Sequence, residues 1–121
     1  YHGDYTIQGG VKGLEKLVAD NPDMTAVFVT NYEMTMGAVI GVNELALKIP
    51  EQLSMIGFDN LQFARACNPK LTIVAQPTPG IAREVAGIML KRLEEGDAGN
   101  TERIAEKLDA EIIMGKSVRA I

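Results

Sequence analysis

Two apolar runs in this chain stop at a residue able to hold a hydroxyl group: Ser54–Phe58 gives way to Asp59, and Thr72–Gln76 ends on Gln76 itself. A third run, Thr25–Thr30, is followed by Asn31, Tyr32 and Glu33. A carboxylate accepts hydrogen bonds, an amide both donates and accepts, and either can engage two hydroxyls at once. A few such groups are enough to orient a polyhydroxylated ligand, and Tyr5, in the turn before the first helix, can add an aromatic wall. Taken alone, Asp59–Asn60 is also readable as a turn whose side chains bond nearby backbone N–H groups, and Gln76 before Pro77 as a plain strand end. Their conjunction is what points to a binding site.

Reaction chemistry has weaker support. A Ser-His-Asp site needs three groups in mutual reach, and the single histidine, His2, stands at the chain start, far in sequence from Ser54 and Ser117. Glu33 and Asp59 are a possible carboxylate pair for glycoside hydrolysis, but such residues more often bind hydroxyls or stay solvated. Gly9 to Gly13, in GGVKG, match neither GxGxxG nor a phosphate-binding loop; tight turning and close helix packing explain them better. His2 has no clustered Cys or carboxylate ligands, so no metal is expected, and no motif calls for a cofactor. Cys67 reads as a small buried apolar residue.

The elements that must position these groups follow from periodicity. Thr25–Thr30, Ser54–Phe58 and Thr72–Gln76 are short β-branched runs bounded by polar residues, the pattern of buried parallel strands. Between them the period changes to that of helices. One spans Thr6 to Ala19, with Ile7, Val11, Leu14 and Val18 on one face; another runs from about Glu33 to Leu47, with Ala38, Val42 and Leu45 turned inward. A third occupies Thr78–Glu95, with Thr78 as N-cap, Pro79 at the first helical position and Gly96 just past the end. Its Ile81, Val85, Ile88, Met89 and Leu93 fall on one face, and its charged residues form a solvated one. Asp97–Thr101 is a turn-rich connection, and alternation at Ile104, Leu108, Ala110, Ile112 and Met114 predicts a strand from about Glu102 to Met114. Strands alternating with helices imply right-handed βαβ units and a parallel sheet covered on both faces. In such sheets ligands bind beyond the carboxyl ends of the strands, which is where Asn31, Asp59 and Gln76 fall.

Composition agrees with one globular core. The chain has 121 residues, 46% of them hydrophobic and 23% charged, close to globular averages. No window approaches the roughly 18 apolar residues of a membrane span, and YHGDYTIQGG is no signal peptide. A net charge of −4 makes the chain a poor binder of nucleic-acid backbones, whose affinity comes from Lys and Arg displacing counterions. With Cys67 alone, no intrachain disulfide can form, which favours a reducing compartment. After Asn60, LQFARAC places Leu61, Phe63, Ala64 and Cys67 near the surface, readable as a subunit interface or as ordinary packing at the sheet edge. Tyr1 enters within an element, so the chain reads as a fragment.

Taken in order, GDYTIQGG, TAVFVTNYEMTMGAV, KIPEQLSMIGFDN, NPKLTIVAQP and AEIIMGKS resemble the effector-binding core of the LacI/GalR family of bacterial transcription regulators. The likeness covers nearly the whole chain, and the pairing of P-E-x-x-S-x-x-G-F-D-N with P-x-L-T-x-x-x-Q-P is its most specific part. It implies an α/β, three-layer, periplasmic-binding-protein-like fold of two lobes closing on a small effector, with residues 1–121 forming the C-terminal lobe. By the same likeness Asp59 binds sugar hydroxyls, Asn31 and Gln76 are its partners, and Tyr5 stacks on the ligand, a sugar or a related polyol or nucleoside-like molecule. Met36, Ile40, Ala66 and Cys67 correspond to a homodimer contact. DNA would be bound only through an N-terminal helix-turn-helix outside this chain, in a cytoplasmic protein that is not an enzyme. A sugar-binding component of an ABC-type transporter shares the fold and is the alternative. Two departures stand out: Tyr32 replaces the usual Asp after Asn31, putting hydrogen bonding at that turn in question, and Gly115 replaces a usual Arg in the last strand.

Overall fold

A computed structural model describes residues 1–95 and 104–120, in the order α1 (Ile7–Asp20), β1 (Ala26–Phe28), α2 (Tyr32–Glu44), β2 (Ser54–Phe58), α3 (Leu61–Ala66), β3 (Thr72–Ala75), α4 (Thr78–Glu95) and β4 (Glu111–Ile113). The sheet order is β1-β2-β3-β4. β1 pairs with β2 and β2 with β3, both parallel, with Phe28 opposite Ile56 and Phe58 opposite Val74. The molecule is therefore an α/β protein whose sheet is parallel across β1, β2 and β3. Two compact units are distinguished: Tyr1–Ala75 with Ile112–Ile121, and Gln76–Glu111.

In the first unit the apolar spacing of α1 and α2 becomes a core of Leu14, Ala38, Val42, Leu53, Met55, Ala64, Leu71 and Ile73. Met55 and Ile73 are fully buried, each contributing roughly 1.5–3 kcal/mol of apolar burial. Leu45, expected inward, is 39% exposed, because α2 ends at Glu44 and Leu45 is already its C-cap. In α3 the apolar residues divide. Ala64 is buried and Phe63 and Cys67 pack against the core, whereas Leu61 and Ala66 face solvent.

The two helices cross on glycine. A Cβ on Gly37 would overlap the Ile7 carbonyl oxygen and stand 2.9 Å from Gly10 Cα; one on Gly10 would stand 2.8 Å from Met34 Cα. Close packing is thus what the GGVKG glycines provide. Both helices begin on side-chain caps. The Thr6 hydroxyl accepts from Gly9 N (2.9 Å) and Asn31 Oδ1 accepts from Met34 N (3.0 Å), each satisfying an N–H that the helix leaves open.

After β4 the chain stitches the starts of β2 and β3 together. Buried Ser117 donates its hydroxyl to the Met55 carbonyl (2.6 Å) and accepts from Thr72 N (2.8 Å), while Gly115 N donates to Thr72 Oγ1 (3.0 Å). A Cβ on Gly115 would overlap the backbone of Lys70 and Leu71, which accounts for glycine where an arginine is usual.

In the second unit α4 begins at Thr78 with Ile81 N donating to the Pro77 carbonyl (3.0 Å), so the helix starts one residue earlier than the Thr78 cap predicted. Among the described residues, the strand expected from about Glu102 is confined to Glu111–Ile113; residues 104–110 lack regular structure, and Glu102 and Arg103 lie outside the described residues. Leu108 lies beside the start of α4, its Cδ1 3.7 Å from where a Gly80 Cβ would be, so its apolar position packs on a helix and not in a ladder. The predicted turn at Asp97–Thr101 and stop at Gly96 lie outside the described residues.

Candidate functional site

Parallel pairing carries β1 and β2 to the same edge, and their carboxyl ends release Asn31 and Asp59 there. At Asn31 the side chain is already half used. Its Oδ1 caps α2 by accepting from Met34 N, which leaves Nδ2 as the amide's donor. Tyr32 in place of the usual Asp therefore leaves the turn's hydrogen bonding in place. Glu33, in the first turn of α2, adds a carboxylate where the helix dipole favours one.

Asp59 follows β2 in the left-handed region (φ 56°), and Asn60 follows it there (φ 47°). Two consecutive such residues turn the chain sharply from β2 into α3, whose first turn Asn60 caps by accepting from Phe63 N (2.9 Å). The Asp59 N–H donates to the Val74 carbonyl (2.8 Å), tying the turn to β3. Tyr5 is left-handed as well (φ 62°) and 74% exposed. Beside it Asp4 accepts from the Thr6 hydroxyl (2.7 Å) and N–H (3.1 Å), and these bonds hold the Asp4 carboxyl below its ordinary range.

Tyr5 and Asn31 line one open groove of about 180 Å³, together with Tyr1, Gly10, Thr30 and Met34. The α1–α2 crossing produces it by bringing both helix starts together. Asn31 and Asp59 are connected through Thr35, which neither strand end announced. The Thr35 hydroxyl donates to the Asn31 carbonyl (2.7 Å) and accepts from Phe58 N (3.3 Å). A signal was present: Thr35 shares the inward face of α2 with Ala38 and Val42, where a polar group needs a partner. Gly57 inside a strand similarly marks close approach, since a Cβ there would meet Thr35 Cγ2 at 2.5 Å. Gln76 is the first residue of the second unit, and its carbonyl accepts from Thr78 N (2.8 Å).

Of the residues proposed for a subunit contact, Ala66 and Cys67 border a second groove of about 610 Å³, with Val39, Leu47 and Phe63 also in its walls. Met36 and Ile40 lie on α2, half-buried and exposed respectively. Burial pushes the Cys67 thiol up, and its Sγ–H points to the Phe63 carbonyl (3.3 Å). Among the described residues no three His, Cys, Asp or Glu side chains gather to hold a metal ion, and no helix is long and apolar enough to cross a membrane.

Polar residues beyond the carboxyl ends of parallel strands occupy the place where open α/β sheets bind small molecules. Residues 2–118 match the periplasmic binding protein-like domain, and the chain belongs to that family. The HTH-type transcriptional repressor CytR of Escherichia coli (strain K12) is 36% identical over 119 residues, 98% of this chain and 34% of that repressor. Catabolite control protein A of Priestia megaterium is 34% identical over 93 residues, 77% of this chain and 28% of that protein. The chain spans about a third of the length of the relatives it matches. Among solved structures, the CelR–cellobiose complex superposes with a TM-score of 0.82 at 28% identity over 95% of this chain and 34% of that one. A LacI family regulator from Enterococcus faecium with bound ribose gives 0.78 at 28% identity over 96% and 41%. CytR is a transcriptional repressor and the Enterococcus faecium protein a LacI family transcriptional regulator; neither likeness supports the Glu33–Asp59 hydrolase reading.

Proposed function

We propose that this chain is the C-terminal lobe of the effector-binding domain of a cytoplasmic LacI-type regulator, and that its effector is a sugar or a related polyol or nucleoside-like molecule. Asp59 accepts from ligand hydroxyls, the Asn31 amide donates, Tyr5 stacks on the ring and Gln76 adds an amide. The observation that carries the reading is the gathering of Asn31 and Asp59 at one end of β1 and β2, with the backbone left-handed at both Asp59 and Tyr5. Strained conformations of this kind concentrate at ligand sites. Ribose and cellobiose in the similar regulators favour a sugar, and the repressor relatives favour regulation over transport.

In this reading a homodimer forms through Met36, Ile40, Ala66 and Cys67, and DNA is bound by a helix-turn-helix elsewhere in the longer protein. The effector acts by shifting the dimer between DNA-competent and DNA-incompetent states, which requires different affinity for the two. Calorimetry of the longer protein against a panel of sugars tests the site. Losing a hydrogen bond to a charged group costs about 1.5–3 kcal/mol, so Asp59→Ala should weaken the best ligand by roughly 10- to 150-fold. An unchanged affinity rejects the assignment.

A further inference from the structure

Asn31 and Asp59 sit on different elements, one capping a helix and the other ending a strand, and a ligand touching both is sensitive to their separation. Thr35 is the side chain that spans the gap. It is 1% exposed, its hydroxyl donates to the Asn31 carbonyl at 2.7 Å, and the N–H of Phe58, the residue before Asp59, donates to it at 3.3 Å. Both hydrogen-bonding directions of one hydroxyl are therefore spent on the two backbone segments that carry the proposed ligand groups. Gly57 makes the approach possible, because any Cβ there would press on Thr35 Cγ2. A hydrophobic residue at position 35 could fill the same space and keep the backbone bond from the residue-35 N–H to the Asn31 carbonyl (2.9 Å), but it would remove the one side-chain group that joins this turn to the Phe58 N–H.

From this we infer that Thr35 is a positioning residue, its hydroxyl holding the Asn31 turn and the Phe58–Asp59 strand end in the register that the effector requires. The inference rests on the site reading above and adds a residue that never touches the ligand. Preorganisation of this kind affects affinity because a loosened pair must be reordered at binding. A purely structural hydroxyl would lower the melting temperature and leave the affinity of the folded molecules unchanged.

The test uses the longer protein with Thr35→Val, which keeps the shape and removes the hydroxyl, Thr35→Ser, which keeps the hydroxyl, and Asp59→Ala. Ribose and cellobiose affinities are measured by calorimetry well below each variant's melting temperature, and amide hydrogen exchange is followed at Phe58 and Met34. Thr35→Val should speed exchange at both amides and weaken the sugar that binds by about tenfold, the scale of one hydrogen bond. Thr35→Ser should restore both to within about threefold, the affinity equivalent of roughly half a hydrogen bond. Unchanged exchange in Thr35→Val overturns the clamp whether or not either sugar binds. If Asp59→Ala weakens binding and Thr35→Val does not, the inference falls while the site stands. If neither sugar binds the parent, the exchange pattern alone decides the clamp, and ribose and cellobiose fall as effectors.

Discussion

Asp59 holds a backbone conformation that costs a non-glycine residue about 1–2 kcal/mol, less for Asp and Asn with local hydrogen bonds. The turn tolerates it because the Asp59 N–H is tied to Val74 O and Asn60 caps α3. If the carboxylate is there for a ligand and not for the fold, Asp59→Gly should leave stability equal or raise it by up to about 1 kcal/mol, since glycine adopts this region freely. Sugar affinity should still fall by at least about tenfold. Denaturant unfolding beside calorimetry checks both, and a stability loss above that size would make the carboxylate structural. Cys67 gives a pH prediction. Burial raises its thiol pKa, so the reactive thiolate is scarcer near neutrality than in an ordinary cysteine, and the rate with a disulfide reagent should keep climbing at a pH where a free thiol has levelled off. A plateau at the ordinary thiol range would contradict this. The strand-end placement of Asn31 and Asp59 was legible in the sequence because apolar runs stop at them. Thr35 was legible only as a polar group on the inward face of α2; its partners were not, because the Phe58 N–H that its hydroxyl accepts from lies 23 residues away.

At the level of elements, the α1–α2 crossing decides whether Tyr5 and Asn31 share a groove at all. Gly37→Ala would drive a methyl into the Ile7 carbonyl and against Gly10, and both are backbone, so the helices must separate. A destabilisation of at least about 1–3 kcal/mol is expected from such overpacking, together with altered exposure of Tyr5, readable by its fluorescence. Gly87→Ala, where a Cβ meets nothing within 4 Å, is the control and should be neutral or slightly stabilising. Ser117 is the matching test at the other end of the sheet. Ser117→Ala leaves the Thr72 N–H and Met55 carbonyl buried without their partner, at about 1–3 kcal/mol per unsatisfied group, while ligand affinity at the opposite strand ends should be unchanged. The GGVKG glycines were legible as packing positions once the phosphate-loop patterns failed; Gly37, which meets Gly10 across the crossing, carried no such mark. The tail was not: alternation predicted a strand from about Glu102, but Leu108 packs beside Gly80 and only Glu111–Ile113 pair. Alternation records which positions are apolar, and a helix can cover them as well as a ladder can.

For the molecule as a whole, the α/β class was legible because the apolar period switches repeatedly between two and 3.6, and a parallel sheet leaves few other arrangements. The effector itself was not, since the chain is about a third of its relatives' length and, in the proposed reading, one lobe supplies only part of the contacts. Scale also separates the two activities proposed for the longer protein. With a net charge of −4, this chain is a poor source of the cationic contacts whose counterion release contributes much of DNA affinity. Asp59→Ala in the longer protein should therefore leave both the sugar-free operator affinity and its salt dependence as they were. What should move is the sugar concentration at which operator binding responds, rising by the same factor as the calorimetric Kd, because in the proposed reading Asp59 enters the coupling through ligand affinity. Operator titrations at two salt concentrations, with and without sugar, measure all three quantities together. A sugar midpoint that stays put while sugar-free operator binding collapses would place Asp59 in the conformational equilibrium itself and not in the ligand's contacts.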